Sequence, residues 1–253
     1  MLSIIIPARN EQNRIGPMLD AYSRFFINKN SEIIVVINNS SDRTLDVVKS
    51  YQKKFPFIKY QNLKPGGKGF ATMSGFKEAL QGNSNLIGFV DADMSTKPED
   101  FYELYKNIGS YDGIIGSRWK NGAVTKRSLG KLIRSRGFNL LVRALFLFPY
   151  QDTQCGAKIF KREVVKKLYD DIKIPEWAFD VNILYICKRN GFSIKEFPTI
   201  WEDKEGSGIN KPFKIPIQMA AGVIRLRLLY SPFEFVVRAY DQILPEDYKI
   251  HSW

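Results

Sequence analysis

Histidine is nearly missing from this chain: His251 is the only one in 253 residues. That excludes Ser-His-Asp triads, other chemistry needing an imidazole base, and metal sites built on histidine ligands. Cysteine is almost as scarce. Cys155 and Cys187 are two in number, too few for a disulfide framework or a four-thiolate zinc site, so a reducing, intracellular setting is expected. Long hydrophobic runs are missing too. The longest uncharged apolar stretch late in the chain, residues 215–224, has ten residues, against the roughly 20 that cross a bilayer. The amino terminus opens straight into MLSIIIPARNE without a basic leader or cleavage site, so neither signal peptide nor membrane span is expected. Any reaction must run on carboxylates, cations or groups that the substrate brings.

Acid is absent from one region. Between Asp112 and Asp152 there is no Asp or Glu, yet there are eight cations: Arg118, Lys120, Lys126, Arg127, Lys131, Arg134, Arg136 and Arg143. The whole chain holds 38 Lys and Arg against 26 Asp and Glu, a net charge of +12. A run of one sign is ordinarily a solvated face. This one contains LLVRALFLFPY and lacks the alternating signs of a solvated helix, which suits a polyanion: nucleic acid, an anionic membrane surface, or phosphates. Aromatic interleaving of the RNA-binding kind and a recognition-helix motif are both missing, so no nucleic-acid partner is expected.

Composition is otherwise globular, with 44% hydrophobic and 25% charged residues. The first half alternates strands and helices. Residues 3–7 and 32–37 are short β-branched runs of the kind that build parallel strands buried on both faces. Between them, 11–26 has helical spacing through Ile15, Met18, Leu19, Tyr22 and Phe26. Ser40 or Ser41 is placed to cap a helix over 42–53. Residues 57–63 read as a third strand, 70–80 as a helix and 86–90 as a fourth strand. Four such units imply an open α/β sheet with ligands at the carboxyl ends of its strands. Three polar clusters meet there: Asn10–Glu11, Asn38–Asp42 and Asp91–Asp93. Beyond them, strands are expected at 113–116, 157–160 and 194–200, a helix at 178–190, and a helical tail over 212–243 interrupted at Pro216 and Pro232. The whole reads as one domain with C-terminal helical additions.

Asp91-Ala92-Asp93 is the sharpest feature. Two carboxylates flanking a small residue can hold Mg²⁺ or Mn²⁺, which favour one or two protein carboxylates plus phosphate oxygens and water. As a plain turn, the same residues lead into STKPED, which starts a helix. Their place at a strand's carboxyl end beside two other polar loops favours the metal. In KPGGKG, glycines let the backbone approach a ligand; Lys68 either meets a diphosphate or nucleobase or sits in a flexible turn. The segment is neither a dinucleotide nor an NTPase loop, because Thr72 stands where GxGxxG needs its last glycine and Phe70 follows Gly69.

Taken in order, SIIIPARNE, INNSSDRT, GGKGFATMSG, VDADMSTKPED, GSR, DTQCGAKIF and EWAFDVNILY resemble a family-2 glycosyltransferase. More narrowly, the chain resembles the dolichyl-phosphate hexose synthases, mannose- and glucose-transferring, over about residues 2–210, and the last two motifs lean toward the glucosyl branch. The resemblance implies a glycosyltransferase A-type, Rossmann-like open sheet, with a nucleotide-sugar half over 1–110, an acceptor half over 111–210, and C-terminal helices over 211–253. It implies a metal-dependent hexosyltransferase using Mg²⁺ or Mn²⁺, a nucleotide-sugar donor (UDP-glucose favoured), a dolichyl or other polyprenyl phosphate acceptor, and a peripheral position on the cytoplasmic face of a membrane. GDP-mannose as donor, or a glycan or soluble acceptor, stands as the alternative.

The same resemblance implies roles. Pro7, Ala8, Asn10 and Glu11 lie near nucleobase and ribose; Asn38, where the family usually has an aspartate, Ser40 and Asp42 belong to the same subsite. Lys68 matches the family's GKG lysine. Asp91, Ala92 and Asp93 match the DxD that grips ribose and metal-bound diphosphate, with Ser95 where some relatives place a third metal ligand. Arg118, Lys131 and Ser135 match the residues that receive the lipid phosphate. A phosphate monoester oxygen is already anionic near neutral pH, so no base is needed, in keeping with the missing histidines. Asp152 either orients these cations, senses the sugar, or forms a structural ion pair. Residues 132–148 read as a core helix or as one in the membrane interface; 213–230 do likewise or meet a partner subunit in a homo-oligomer. Trp177, Phe179 and Trp201 read first as core, and Cys155 and Cys187 as buried small apolar residues. The loop WEDKEGSGIN departs from relatives with Ser-Lys, since Gly208 follows Ser207.

Overall fold

The computed structural model describes residues 1–64, 66–126, 129–172, 178–202 and 214–243. Its centre is a seven-stranded sheet in the order β3-β2-β1-β4-β7-β5-β8. Four parallel strands come from the first half: β1 (Leu2–Ala8), β2 (Ser31–Asn38), β3 (Ile58–Leu63) and β4 (Leu86–Val90). Helices α1 (Ile15–Phe26), α2 (Thr44–Lys54), α3 (Lys68–Gln81) and α4 (Pro98–Asn107) follow them. The expected open α/β sheet is the observed one.

Strand alternation divides the core between two faces. Ile4, Ile6, Ile33, Val35 and Ile37 pack with Met18, Tyr22, Val48 and Phe101 from α1, α2 and α4. Ile5, Ile34, Val36 and Phe89 pack on the other face with Met73 and Phe76 of α3. Burial on both faces explains why β1 and β2 read as unbroken apolar runs. The approach of α3 to β1 depends on Gly75, where a Cβ would come within 2.5 Å of Ile5 Cγ2.

The second half joins through β7 (Ala157–Lys161), which lies antiparallel between β4 and β5 (Gly113–Ser117). Helices α5 (Leu129–Phe146), α6 (Arg162–Asp171) and α7 (Phe179–Arg189) surround it. Residues 194–200 do not form one strand. The chain turns at Thr199, whose N–H donates to the Ser117 carbonyl. It divides into β8 (Ile194–Pro198) beside β5 and β9 (Ile200–Glu202), which pairs in parallel with β6 (Val124–Lys126). The tail forms α8 (Lys214–Leu229) and α9 (Glu234–Ile243). Pro232 stands in the turn between them, but Pro216 lies in the first turn of α8, where a missing N–H costs nothing. Val223, Leu226, Leu229 and Val237 bury these helices against the same cluster as Val142 and Phe146 of α5.

Replacing Gly75 with alanine forces α3 away from β1. The expected loss is about 1–3 kcal/mol, read as a lower midpoint in thermal or urea unfolding with the secondary structure retained.

Candidate active site

Three loops leave the carboxyl ends of β1, β2 and β4, and each turns through a left-handed residue: Asn10 (φ 53°), Asn39 (φ 49°) and Met94 (φ 61°). Asparagine tolerates this conformation; Met94 holds it at a cost that the surrounding packing must outweigh. The β1–β4 ladder stops at Ile5 opposite Phe89, two residues before Pro7, which has no N–H to donate. The crevice opens there.

The first two loops are stitched together. Asn10 N–H donates to Ser40 Oγ (3.0 Å) and Ser41 N–H to Asn10 Oδ1 (2.9 Å). Asp42 accepts from Gln12 N–H through Oδ2 (3.0 Å) and from Thr44 N–H through Oδ1 (3.0 Å). Asp42 therefore caps α2, which starts at Thr44; neither Ser40 nor Ser41 does, because the serines bind the first loop instead. Likewise α1 starts at Ile15, after a turn in which Arg14 N–H donates to the Glu11 carbonyl. Asn38 is buried; its Nδ2 donates to the Ala8 carbonyl (3.3 Å) and its Oδ1 accepts from Gly67 N–H (3.2 Å). An aspartate could make the second bond but not the first, so asparagine here ties β1 to the start of α3. Burial raises the pKa of Glu11 against its bidentate contact with Arg14 (2.6 and 2.8 Å), and the charges of Asp93 and Asp42 add to the rise.

At the third loop, Asp93 Oδ1 accepts from Ser95 N–H (2.9 Å). Ser95 is 3% exposed, and its hydroxyl has no hydrogen-bond partner. A buried orphan hydroxyl next to a carboxylate is a donor set that fits a hard divalent cation. Among the described residues no three His, Cys, Asp or Glu side chains converge as a ready-made cage; a metal held by Asp93 and Ser95 would need further ligands, phosphate and water among them.

Asp91 is held differently. Its Oδ1 lies 2.7 Å from Lys68 Nζ, and its Oδ2 faces Gly156, where a Cβ would stand only 1.8 Å away. Lys68 also lies 3.5 Å from Asp180 Oδ2. Asp180, on the first turn of α7, accepts from Lys158 Nζ, which is fully buried and donates also to the Cys155 carbonyl (2.6 Å). Burial pushes the Asp91 carboxyl up and would do the same to Asp180, but Lys158 and Lys68 hold Asp180 below the ordinary carboxylate range. Asp180, Lys158 and Gly156 were not among the sequence candidates. Their signals were a lone acid in WAFDVNILY and a lone cation in CGAKIF, each isolated among apolar residues.

In the second half of the chain, Arg118 binds Asp152 through Nε (2.6 Å) and Nη2 (2.8 Å), both residues being buried. Its guanidinium lies 5.6 Å from the Trp119 ring and 5.2 Å from the Trp201 ring. The structure shows the ion pair that the sequence left as one of three readings for Asp152. Burial opposes the Asp152 charge, yet Arg118 holds the carboxyl below its ordinary value. Ser135 Oγ donates to the Leu132 carbonyl within α5 (3.0 Å). The side chain of Lys131, on α5, lies outside the described residues, as do Arg127, Trp177 and residues 203–213. Phe179 and Trp201 are core residues, and burial pushes the Cys155 thiol up to about 12, which keeps it protonated.

These parts, a DxD loop at a parallel strand's end facing a second, basic half, define a nucleotide-sugar transferase of the A-type fold. Residues 3–169 match the family described as Glycosyl transferase family 2, and the chain belongs to that family. It is 35% identical over 247 residues to the dolichyl-phosphate beta-glucosyltransferase of Dictyostelium discoideum, covering 90% of this chain and 74% of that protein. It is 30% identical over 248 residues to the human protein of the same description, covering 90% and 75%. The fold matches glucosyl-3-phosphoglycerate synthase of Mycobacterium tuberculosis, solved with Mn²⁺, uridine-diphosphate-glucose and phosphoglyceric acid (TM-score 0.65, 16% identity, covering 90% of this chain and 78% of that one). The same enzyme solved with Mg²⁺ and uridine diphosphate gives a TM-score of 0.66.

Replacing Asp152 with asparagine leaves Arg118 buried without its counter-charge, at an expected cost of about 3 kcal/mol. In the parent chain, this pair stabilises fully above the unfolded carboxyl pKa of about 4 and weakens as pH falls through the lowered folded value. The variant's stability therefore falls less steeply on acidification, which urea unfolding at a series of pH values checks.

Proposed function

We propose that this protein transfers glucose from UDP-glucose to dolichyl or another polyprenyl phosphate, with inversion at C1. The observation that carries the reading is the pairing of a DxD loop and its orphan Ser95 hydroxyl with a half whose chain from 113 to 151 holds cations and no acid. The curated relatives act as dolichyl-phosphate glucosyltransferases by description, which supports the acceptor and the sugar. Residues 1–110 bind the donor and 111–210 the acceptor.

Asn10, Ser40 and Asp42 form the floor beneath nucleobase and ribose. Asp93 and Ser95 would hold Mg²⁺ or Mn²⁺, which would supply charge to stabilise the departing diphosphate. Lys68, at the amino terminus of α3, adds a cation and a helix end to the same diphosphate. Arg118, its plane fixed by Asp152, and Lys131 bring the acceptor phosphate into line, with Ser135 beside them. The attacking oxygen is already anionic; it forms the bond to C1 as the bond from C1 to the diphosphate oxygen breaks, and that electron pair leaves with UDP. No protein base takes part.

The acceptor is lipid-borne, and the protein reaches it from the surface. Among the described residues no helix is long and apolar enough to cross a membrane. Leu147, Phe233 and Phe235 are 77%, 57% and 66% exposed, and Arg136 and Arg143 of α5 are exposed as well. Exposed apolar side chains together with cations suit an anionic lipid surface. The expected outcome is co-flotation with anionic vesicles that falls at least about tenfold for Phe233→Glu/Phe235→Glu, each buried apolar residue being worth about 1.5–3 kcal/mol.

Purified protein supplied with Mg²⁺ or Mn²⁺, dolichyl phosphate and a panel of nucleotide sugars should release UDP from UDP-glucose and form the glucosyl lipid, identified by mass. Asp93→Ala should lower kcat/KM by about a hundredfold or more. Transfer without prenyl phosphate, unaffected by Lys131→Ala, would move the reading to a soluble or glycan acceptor. Release of nucleotide from no donor at all would overturn it.

A further inference from the structure

Four charges alternate in sign along the base of the site: Lys158, Asp180, Lys68 and Asp91. Lys158 is fully buried on β7, satisfied by Asp180 Oδ1 at 2.5 Å and by the Cys155 carbonyl, so Asp180 is anchored from behind. Lys68 stands between two carboxylates, at 2.7 Å from Asp91 Oδ1 and 3.5 Å from Asp180 Oδ2. It differs from Lys158 in freedom: its side chain is 38% exposed, and it begins α3 just after Gly67, which holds φ 125°. Both ammonium groups lie near the Phe89 ring, at 5.3 Å and 5.7 Å from its centroid, and the Asp180 carboxylate bridges them.

Asp91 is thus neutralised by a cation of this chain at the place where the donor would deliver a metal and a diphosphate. Its other oxygen is walled by Gly156. A metal that takes Oδ1 therefore competes with Lys68 for it. Asp91, Asp93 and Asp180 against Lys68 and Lys158 leave one net negative charge, and an arriving divalent cation meets that single charge while Lys68 stays in place. If a diphosphate arrives with it, Lys68 has a new anion to bind, and Asp180 keeps it from swinging into solvent.

We propose that Lys68 is a stand-in cation that occupies Asp91 until the metal and diphosphate arrive together, and that Asp180, anchored by Lys158, is the positioning residue that holds Lys68 within reach of both. This rests on the donor reading given above. It makes metal and nucleotide binding mutually dependent: each ligand tightens the other by the same factor. Metal alone must displace an ammonium, whereas metal with diphosphate gives that ammonium a partner.

The test is Mn²⁺ titration of the full chain, followed by the electron paramagnetic resonance of free Mn²⁺, with and without UDP. The parent protein should bind Mn²⁺ weakly alone and at least about tenfold more tightly with UDP, in the range of ordinary coupling energies. Lys68→Met should bind Mn²⁺ alone at least about tenfold more tightly than the parent, since a unit charge beside the metal is removed, and should lose the enhancement by UDP. Lys68→Arg should keep the parent's order. Lys158→Met/Asp180→Asn removes the buried pair together, so no charge is stranded; it should bind Mn²⁺ alone more weakly, because Asp91 then holds Lys68 undivided, and should raise the donor KM more than it lowers kcat. A merely structural lysine would give weaker Mn²⁺ binding in Lys68→Met, or none of these differences, and either result overturns the proposal. Unchanged Mn²⁺ affinity in the double variant overturns the role of Asp180. A parent protein that binds no Mn²⁺ even with UDP overturns this proposal and the donor reading together; one that binds it, with Lys68→Met unchanged, overturns this proposal alone.

Discussion

Burying a carboxylate is costly unless a cation or an N–H meets it, and that constraint orders the crevice of this protein. Four of the aspartates around the crevice each meet that constraint in a different way. Asp42 accepts one N–H from the first crevice loop, at Gln12, and one from α2, at Thr44. Asp152 takes a bidentate arginine, and Asp180 a fully buried lysine. Asp91 takes Lys68, the more exposed of the two lysines in its chain of charges. The ion pairs are therefore deeply buried away from the crevice and more exposed toward it. The pairs that never need to break are sealed; the pair that must exchange partners faces the opening.

The sheet makes this gradation possible. Because β7 runs antiparallel between β4 and β5, the Cys155–Lys158 segment enters beside the end of β4, where Asp91 leaves it. β7 and the residue just before it thereby supply Lys158, the anchor of Asp180, and Gly156, against which the DxD aspartate lies. The second half of the chain is joined to the first through buried charge and a strand ladder. A shift of β7 would be felt at Asp91 directly, so the alignment of the two halves is a property of the core.

The first half was legible because its signals are local. Runs such as SIIIPA and EIIVVI, and polar loops directly after them, report strand and site from a few neighbouring residues. The second half was less so. Residues 194–200 looked like one strand, and only the Ser117 carbonyl, far away in sequence, makes the chain turn at Thr199. Pro216 looked like a break because its place within the first turn of α8 cannot be read without knowing where the helix starts. Asp180 and Lys158 were hidden for a further reason. Each is an isolated charge in an apolar segment, and what marks them as a pair is a separation across the fold that no spacing rule contains. Asn38 shows the converse: its position in the loop was legible, but its use in tying Ala8 to Gly67 needed the backbone of α3.

The scarcity of histidine and the surplus of cations belong to one chemical arrangement. A nucleophile that arrives as a phosphate anion needs no base, so an imidazole has no function in the crevice; it needs instead to be brought, against repulsion, beside a second polyanion, the donor's diphosphate. Two like-charged reactants meet in one crevice only if fixed positive charge stands between them. In the proposed reaction Lys68 and a divalent ion would serve the diphosphate and Arg118 and the acid-free segment around it the acceptor, while Asp152 fixes the orientation of Arg118 without leaving its charge unbalanced in the core. The excess of +12 would then answer the need to bring two anions together in one crevice.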